Sequence, residues 1–286
     1  MKGIIVSSVC GTYQIFVDGT KYEVKPRGKF RHNGVKPTVG DYCEFDEINS
    51  TIEKIYERKN KLIRPAIANI DRAYIVMSRK EPDFSPLLIS KFLTYLNSLS
   101  IKGSLIITKM DKNEQNDEEI NKWKEVYEKQ GIDVYLLSLF DELDKEKLVL
   151  DLKGHTSVFI GQSGVGKSSL LNYIYPGWDL KIGEYSFALG RGKHQTKEVI
   201  LLPFEGGFIG DTPGFSSLEL NLSKEELSEF FVGFKSYFGK CYFKDCLHIH
   251  EKSCLLKEDL DNDVYPHELY EHYLQLIKEI EQNKRR

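Results

Sequence analysis

The sequence predicts a multidomain protein with an N-terminal all-β barrel of the OB type, a central α/β domain and a mainly α-helical C-terminal domain. Short β-branched and aromatic runs separated by Gly and Asp turns fill the first 65 residues, whereas strand-like and helix-like segments alternate from Asn69 onward. The chain has 286 residues and 41% hydrophobic content, enough for two domains and a small third one. We place the boundaries at 1–65, 66–220 and 221–286.

The N-terminal runs have the length of strands in a small barrel. They are Gly3–Val6, Tyr13–Val17, Lys21–Val24 and Tyr42–Phe45. Five short strands within 65 residues are typical of an OB-type barrel.

Farther along the chain, strands and helices should alternate. Arg72–Met77 reads as a buried strand. Ser85 and Pro86 then predict the start of a helix that runs through Leu99, because Ser is a favoured N-cap and Pro is favoured in the first turn. Asp117–Gln130 predicts a second, strongly charged helix. This alternation predicts a mainly parallel, doubly wound sheet.

Residues 161–168 read G-Q-S-G-V-G-K-S, the pattern of a phosphate-binding loop. A β-branched run precedes the loop and an amphipathic helical stretch follows it, as the motif requires. Backbone N–H groups would surround the phosphates, Lys167 would neutralise charge on the β and γ oxygens during catalysis, and the Ser168 hydroxyl would bind Mg²⁺. The predicted loop residues are Gly161, Gln162, Ser163, Gly164, Val165, Gly166, Lys167, Ser168 and Ser169.

A second phosphate-site motif, D-T-P-G, begins at Asp211, at the end of an apolar strand. There Asp211 would hold Mg²⁺ through water, and the Gly214 N–H would contact the γ-phosphate. Phe215 follows, where Ras-like enzymes carry the Gln that orients the attacking water, and a phenyl ring cannot form those hydrogen bonds. Water positioning must therefore come from another part of the chain or from a partner.

The residues T-K-M-D at 108–111 form a guanine-reading motif in which Thr108 replaces the usual Asn and Lys109 follows it. Asp111 would accept hydrogen bonds from guanine N1–H and N2–H₂, a donor pair that adenine lacks, so GTP is favoured over ATP. Ser138 is assigned to a further base-contacting motif from its position alone.

The order of these motifs is unusual. The guanine-reading motif precedes the phosphate loop, whereas the common order is the reverse. We therefore expect a circularly permuted nucleotide domain, whose chain ends lie at new surface positions where the flanking domains attach.

Between the phosphate loop and Asp211 lies the segment G-R-G-K-H-Q-T, residues 190–196. Thr196 carries its only hydroxyl and is predicted to complete the Mg²⁺ shell when GTP is bound. His194 would position water or stabilise charge in the transition state. The alternative for both residues is a solvated basic loop that binds nothing.

Three cysteines and one histidine cluster near the C-terminus: Cys241, Cys246, His248 and Cys254. Three thiolates and one imidazole fill a tetrahedral zinc shell and leave no position for water, which predicts one structural Zn²⁺. His250 is a competing ligand, but strand-like alternation would point it away from His248.

The remaining cysteines, Cys10 and Cys43, lie in strand-like stretches and are expected to be buried small hydrophobes. The odd cysteine count, the absence of a signal peptide and the lack of an apolar run near 18 residues predict a cytoplasmic protein with no membrane segment.

The barrel segment carries 12 Lys and Arg against 8 Asp and Glu, whereas the whole chain has a net charge of −3. Arg27, Lys29 and Arg31 surround Phe30 in a predicted loop. The basic groups would neutralise RNA phosphates and the ring would stack on a base, or the loop is solvated and binds nothing.

Taken together, these residues resemble the bacterial RsgA/YjeQ family of ribosome biogenesis GTPases. The resemblance covers the basic β domain, the permuted motif order, the 190–194 and 211–214 segments and the Cys/His spacing. It implies an OB-fold, a GTPase and a zinc domain that together bind the 30S subunit and its 16S rRNA late in maturation, with hydrolysis stimulated by the subunit. It also implies that His194 takes the catalytic place vacated at Phe215. The family usually has Asn at the position of Thr108 and a further Thr at that of Gln195.

We therefore predict a monomeric GTP hydrolase that binds GTP and GDP, uses Mg²⁺ and acts in assembly of the 30S subunit. Two alternatives remain: an RNA-binding adaptor that uses GTP as a structural ligand with little turnover, and another P-loop kinase or ATPase.

Overall fold

The structure is a computed structural model that describes residues 1–28, 30, 35–110, 117–138, 142–176, 199–212 and 218–283. It confirms the predicted fold class: a β-barrel, a doubly wound α/β domain and a mainly helical C-terminal domain.

Five strands form the barrel: β1 (Lys2–Val9), β2 (Thr12–Val17), β3 (Thr20–Pro26), β4 (Tyr42–Asp46) and β5 (Thr51–Ile55). They close in the order β1-β2-β3-β5-β4, and only β3 and β5 pair in parallel. Alternate side chains fill the interior, as the period-2 pattern requires. The buried set is Ile5, Tyr13, Ile15, Val24, Phe30, Cys43, Phe45 and Ile52.

Cys43 is buried as predicted, but the prediction for Cys10 is wrong. Cys10 is exposed and, with Gly11, forms a two-residue turn in which both residues have positive φ, +49° and +82°. Val9 pairs with Thr12 across this turn. Such turns suit the twist of a β-hairpin, so the strand ends one residue before Cys10.

A short ribbon of β6 (Lys61–Leu62) and β7 (Ile67–Ala68) leads into the central sheet. The sheet contains β8 (Arg72–Ser78), β9 (Lys102–Thr108), β10 (Val134–Leu136), β11 (Thr156–Ile160), β12 (Ile200–Phe204) and β13 (Gly207–Asp211). Their order is β10-β9-β8-β11-β13-β12, and all neighbours are parallel except β12 and β13. The helices of this domain are α1 (Pro86–Ser98), α2 (Glu118–Lys129), α3 (Glu142–Leu152) and α4 (Lys167–Ile174).

Alternation along β8 shows how both faces of the sheet are covered. Ala73, Ile75 and Met77 lie in the apolar cluster that includes side chains of α1 and α2. Tyr74 and Val76 lie in the cluster that includes α3 and α4. The carboxyl ends of the parallel strands therefore form one open edge, the usual ligand site of such sheets.

The barrel packs against β12 and β13, the two antiparallel strands of the central sheet. Phe16 of β2 meets Phe208 of β13 edge-to-face, with ring centroids 5.6 Å apart. Ile4 of β1 belongs to the same apolar cluster as Leu201 of β12.

The C-terminal domain comprises α5 (Lys224–Phe230), a 3-10 turn at Phe234–Ser236, α6 (Leu255–Asp261) and α7 (His267–Asn283). Helix α7 attaches to α1 and α2. His272 Nδ1 lies 2.9 Å from Ser90 Oγ, and its ring stacks on Trp123 with centroids 5.1 Å apart. Lys91 and Glu279 add an ion pair of 2.6 Å. Within the segments that the structure describes, each helix is too short or too polar to cross a lipid bilayer.

A candidate nucleotide site and a candidate metal centre

The phosphate loop joins β11 to α4 at the open edge of the sheet. Two of its glycines are required by geometry. A Cβ atom at Gly161 would lie 2.2 Å from the Val76 carbonyl oxygen, and Gly166 has φ +93° as it caps α4. Neither position accepts a larger side chain without strain, so the sequence pattern reflects the path of the backbone.

Lys167, the first residue of α4, is 8% exposed. Its ammonium donates to the carbonyl oxygens of Gly161 at 2.9 Å and Gln162 at 2.8 Å. The ammonium thus lies inside the loop, beside a helix N-terminus whose free N–H groups also favour anions. This arrangement suits the phosphates of a nucleotide.

The other loop residues follow the same path. Val165 is buried, Ser163 and Gly164 are exposed, and Ser168 and Ser169 are half-buried on the first turn of α4. The side-chain oxygen of Gln162 is buried and has no hydrogen-bond partner among the described residues.

Strand β9 brings Thr108 to the phosphate loop. The buried Thr108 hydroxyl lies 2.6 Å from the Val165 carbonyl oxygen and 3.2 Å from that of Met77. A hydroxyl donates one hydrogen bond, and the shorter distance favours Val165. The residue that replaces the usual Asn therefore still links the guanine-reading motif to the phosphate loop.

Two further predicted residues lie at this edge. Lys109 is exposed, with φ +61°, and donates to the carbonyl oxygens of Lys80 and Glu81. Ser138 is buried, just after Leu137, whose N–H donates to the Ile107 carbonyl at 2.8 Å. Ser138 therefore lies two residues beyond β10, the strand that pairs with β9.

Strand β13 ends at Asp211, which is half-buried and lies in register with Phe159 of β11. The next residue, Thr212, is buried and donates its hydroxyl to the Phe159 carbonyl. Asp211 therefore lies beside Phe159 of β11, and Phe159 is two residues before Gly161, where the phosphate loop begins.

Several predicted site residues lie outside the described residues: Lys29, Arg31, Asp111, His194, Thr196 and Gly214. Phe215 and Gln195 lie outside them as well. Their roles stay predictions.

In the barrel, Arg27 is exposed and pairs with Glu53 at 2.7 Å. Phe30 is 8% exposed and belongs to the barrel core. The ring packs against core side chains, contrary to the prediction that it stacks on a base. When the barrel closes, it buries the apolar surface of the Phe30 ring.

The four C-terminal ligand candidates meet in space. Their ligand atoms all lie within 4.8 Å of one another. His248 Nδ1 lies 3.6 Å from Cys241 Sγ, 3.5 Å from Cys246 Sγ and 3.2 Å from Cys254 Sγ. The edges of a tetrahedral zinc site with sulfur and nitrogen ligands are about 3.6–3.8 Å. The donor set and its spacing therefore fit zinc.

Burial raises the pKa of the Cys246 thiol to about 12, and the nearby Cys254 and Cys241 act in the same direction. A cation would offset the negative charge of adjacent thiolates, so the cluster is suited to a metal ion. His250 is exposed and outside the cluster, as predicted, although the segment is not a strand: His248 has φ +59° and the chain bends there.

Polar contacts hold the backbone of the ligand segment. The Tyr270 hydroxyl donates to the His248 carbonyl at 2.7 Å, and the Tyr273 hydroxyl donates to the Leu247 carbonyl at 2.6 Å. The Glu251 carboxylate accepts hydrogen bonds from the N–H groups of Leu247 at 2.7 Å and Ile249 at 2.8 Å. The ligands thus lie on a segment fixed by α7 and by its own carboxylate.

Comparisons with known proteins decide the family. The RsgA N-terminal domain model matches residues 2–53, and the RsgA GTPase model matches residues 55–221. The chain belongs to the RsgA GTPase family.

Curated RsgA proteins match over the full length. The small ribosomal subunit biogenesis GTPase RsgA of Halalkalibacterium halodurans is 41% identical over 291 residues, covering 100% of this chain and 99% of that protein. The protein of the same name from Staphylococcus saprophyticus is 39% identical over 289 residues, covering 99% of each.

Solved structures of YjeQ and YloQ share the RsgA fold seen here. YjeQ from Thermotoga maritima has a TM-score of 0.80 and 33% identity, and 97% of each chain is covered. YloQ, described as a circularly permuted GTPase, has the same score and identity and covers 99% of this chain and 95% of its own. The permuted order predicted from the motifs is thus confirmed.

Two polar residues at the open edge of the sheet were not predicted as site residues. Arg79 and Asp117 form an ion pair beside the guanine-reading motif. Asp117 had a sequence signal as a helix cap, but Arg79 lies 38 positions earlier in the sequence and no local pattern joins the two.

Proposed function

We propose that this chain hydrolyses GTP late in the assembly of the small ribosomal subunit, and that the 30S subunit stimulates the reaction. The observation that carries this proposal is the phosphate loop, in which Lys167 lies between loop carbonyls and Thr108 binds the loop from the guanine side. The RsgA proteins that match the whole chain are named for the same assembly process.

In this proposal each phosphate-site residue has a separate task. Lys167 neutralises charge on the β and γ oxygens. Asp211 would hold Mg²⁺ through a water molecule. Ser168 and Thr196 would hold Mg²⁺, which when bound would supply positive charge that offsets the charge developing on the phosphate oxygens. Gly214 contacts the γ-phosphate through its N–H.

The guanine base is read by Asp111, with Lys109 and Ser138 beside it. The catalytic proton acceptor or water-orienting group is His194, because Phe215 offers no hydrogen bond at the position where Ras-like enzymes have Gln.

The C-terminal cluster binds one structural zinc ion. When bound, the metal would hold together the ends of the 241–254 segment, and no ligand position would remain for water. The exposed Arg27, with Lys29 and Arg31, contacts phosphates of 16S rRNA. We also propose that the protein is a cytoplasmic monomer and that its domain boundaries lie near residues 65 and 220.

The proposal is tested by GTP and ATP turnover with purified 30S subunits, using wild type and His194→Ala. We expect GTP to be hydrolysed and ATP not, and His194→Ala to lower the stimulated rate by about 10²- to 10⁴-fold with little change in GDP affinity, the usual range for a lost acid or base. Equal ATP turnover would indicate another P-loop NTPase.

The absence of a Gln equivalent at Phe215 favours a second candidate, an RNA-binding adaptor with bound GTP and little turnover. The same assay separates the two, because an adaptor would bind 30S subunits with GTP but show no subunit-stimulated hydrolysis.

A further inference from the structure

The turn after β8 contacts the guanine-reading motif from one side. The Arg79 N–H donates to the Thr108 carbonyl at 3.1 Å. One residue farther along, the Lys109 ammonium donates to the carbonyl oxygens of Lys80 and Glu81. The end of β9 is therefore held by backbone atoms of this turn.

The same turn lies against the phosphate loop. The Ser78 hydroxyl donates to the Pro82 carbonyl at 2.7 Å, which closes the turn on itself. A Cβ atom at Gly164 would lie 3.9 Å from the Pro82 ring. The turn is thus packed between the two nucleotide motifs.

The side chain of Arg79 reaches the opposite end of the guanine-reading segment. Its Nε lies 2.5 Å from Asp117 Oδ2, and the two side chains are only 15% and 19% exposed. Asp117 is also the N-cap of α2, because its Oδ1 accepts hydrogen bonds from the N–H groups of Glu119 and Ile120.

Arg79 therefore holds residue 108 with its backbone and residue 117 with its side chain. The eight residues between those two points include Lys109 and Asp111, to which base recognition is assigned above. Residues 108 and 117, which flank that segment, are both held by Arg79, and fixing the ends of a segment lowers the entropy lost when it binds a ligand.

We propose that Arg79 and Asp117 are positioning residues for guanine recognition, and that their ion pair sets the geometry in which the base-reading segment meets the 2-amino group of guanine. This inference rests on the proposed function, since it requires that the segment reads the base. Neither residue is expected to touch the nucleotide.

Two variants separate the ion pair from the stability of the helix. Arg79→Gln removes the charge and keeps a long polar side chain. Asp117→Asn removes the carboxylate partner, yet Asn caps helices about as well as Asp does. The double variant should lose no more selectivity than either single variant, because both changes remove one interaction.

Arg72 provides a matched control on the same strand. It pairs with Asp151 at the other end of β8, and both side chains are 18% exposed, close to the values for Arg79 and Asp117. Arg72→Gln therefore breaks an ion pair of similar burial far from the open edge of the sheet.

The measurement is the ratio of the dissociation constants for IDP and GDP, using the full chain. IDP lacks only the 2-amino group, so the ratio isolates its recognition. We expect wild type and Arg72→Gln to prefer GDP by roughly 10- to 100-fold, the range for a hydrogen bond to a charged group. In Arg79→Gln and Asp117→Asn the ratio should fall by about 10-fold or more.

The outcomes distinguish the two levels of inference. If wild type binds IDP and GDP equally, recognition of the 2-amino group fails, and with it both the positioning role and the full assignment of Asp111; the GTP and ATP turnover assay tests the proposed hydrolysis separately. If wild type prefers GDP and both site variants keep that preference, the positioning role is wrong. A fall of the same size in Arg72→Gln would mean general destabilisation and would also overturn it.

Discussion

The hydroxyl of Thr108 lies 2.6 Å from the Val165 carbonyl, and this one contact connects two motifs that lie 57 residues apart. A shorter side chain than Asn can form it because β9 carries Thr108 directly against the loop, within 3.9 Å of the Cβ position at Gly166. What matters at this position is therefore a hydrogen-bond donor at the correct distance.

Removing that donor should weaken nucleotide binding. Thr108→Val keeps the shape of the side chain but leaves a buried carbonyl without its partner, so we expect GDP affinity to fall by roughly 5- to 30-fold, equivalent to about 1–2 kcal/mol. Thr108→Ser should retain affinity. A suitable control is Thr94→Val, since the buried Thr94 hydroxyl donates to the Ser90 carbonyl at 2.8 Å within α1. Equal GDP affinity in Thr108→Val and wild type, measured by calorimetry, would contradict this role.

The carboxyl of Asp117 should give a measurable pH dependence. Burial alone would raise its pKa, but hydrogen bonds from Arg79 and from the first N–H groups of α2 outweigh burial and lower it. A lowered pKa in the folded state stabilises the protein above the ordinary value of about 3.9, and this stabilisation is lost as pH falls through the folded-state pKa.

We therefore expect wild type to melt at a higher temperature than Asp117→Asn by a constant margin between about pH 5 and 8. The margin should shrink below about pH 4, and thermal melts across this range would show it. A margin that grows toward acid pH would contradict the assigned direction of the pKa.

At the scale of elements, local patterns in the sequence were enough to predict most strands and helices. Ser85 and Pro86 start α1 as expected, because capping and first-turn preferences act within a few residues. Burial of Phe30 and exposure of Cys10 were missed, because barrel closure and the hairpin turn depend on contacts and backbone angles that local periodicity does not report.

The functional site divides in the same way. The phosphate loop and the metal cluster could be predicted because each is encoded by a short spacing of residue types. The Arg79–Asp117 pair could not be predicted, because it depends on how the turn after β8 meets the start of α2 in the folded sheet.

The metal cluster makes a prediction for the C-terminal elements. Cys246→Ser should lose zinc and increase hydrogen exchange across residues 235–283, because a structural site couples metal binding to local folding. GDP binding should be kept, since the phosphate loop belongs to a different domain. Cys10→Ser is the control, because Cys10 is exposed and lies in the barrel. Full zinc content of the Cys246→Ser protein, measured by mass spectrometry, would show that another group completes the shell.

At the scale of the whole molecule, the two flanking domains contact the central domain at elements that lie next to its nucleotide motifs. The barrel contacts β13, the strand that ends at Asp211, through Phe16 and Phe208. The C-terminal helix contacts α2, which begins at the end of the guanine-reading segment, through His272 and Trp123. Each flanking domain thus packs on an element that borders one nucleotide motif, and such contacts would let binding by those domains affect hydrolysis.

The most direct test of this account is the rate of GTP hydrolysis by the full chain, with and without purified 30S subunits, for wild type and Lys167→Ala. We expect the subunit to raise the wild-type rate strongly, because Phe215 leaves the isolated protein without a water-orienting group of the usual kind. Lys167→Ala should remove the stimulated rate, since it deletes the ammonium that lies inside the phosphate loop. A wild-type rate that the subunit does not change, or stimulated hydrolysis that survives Lys167→Ala, would contradict the account.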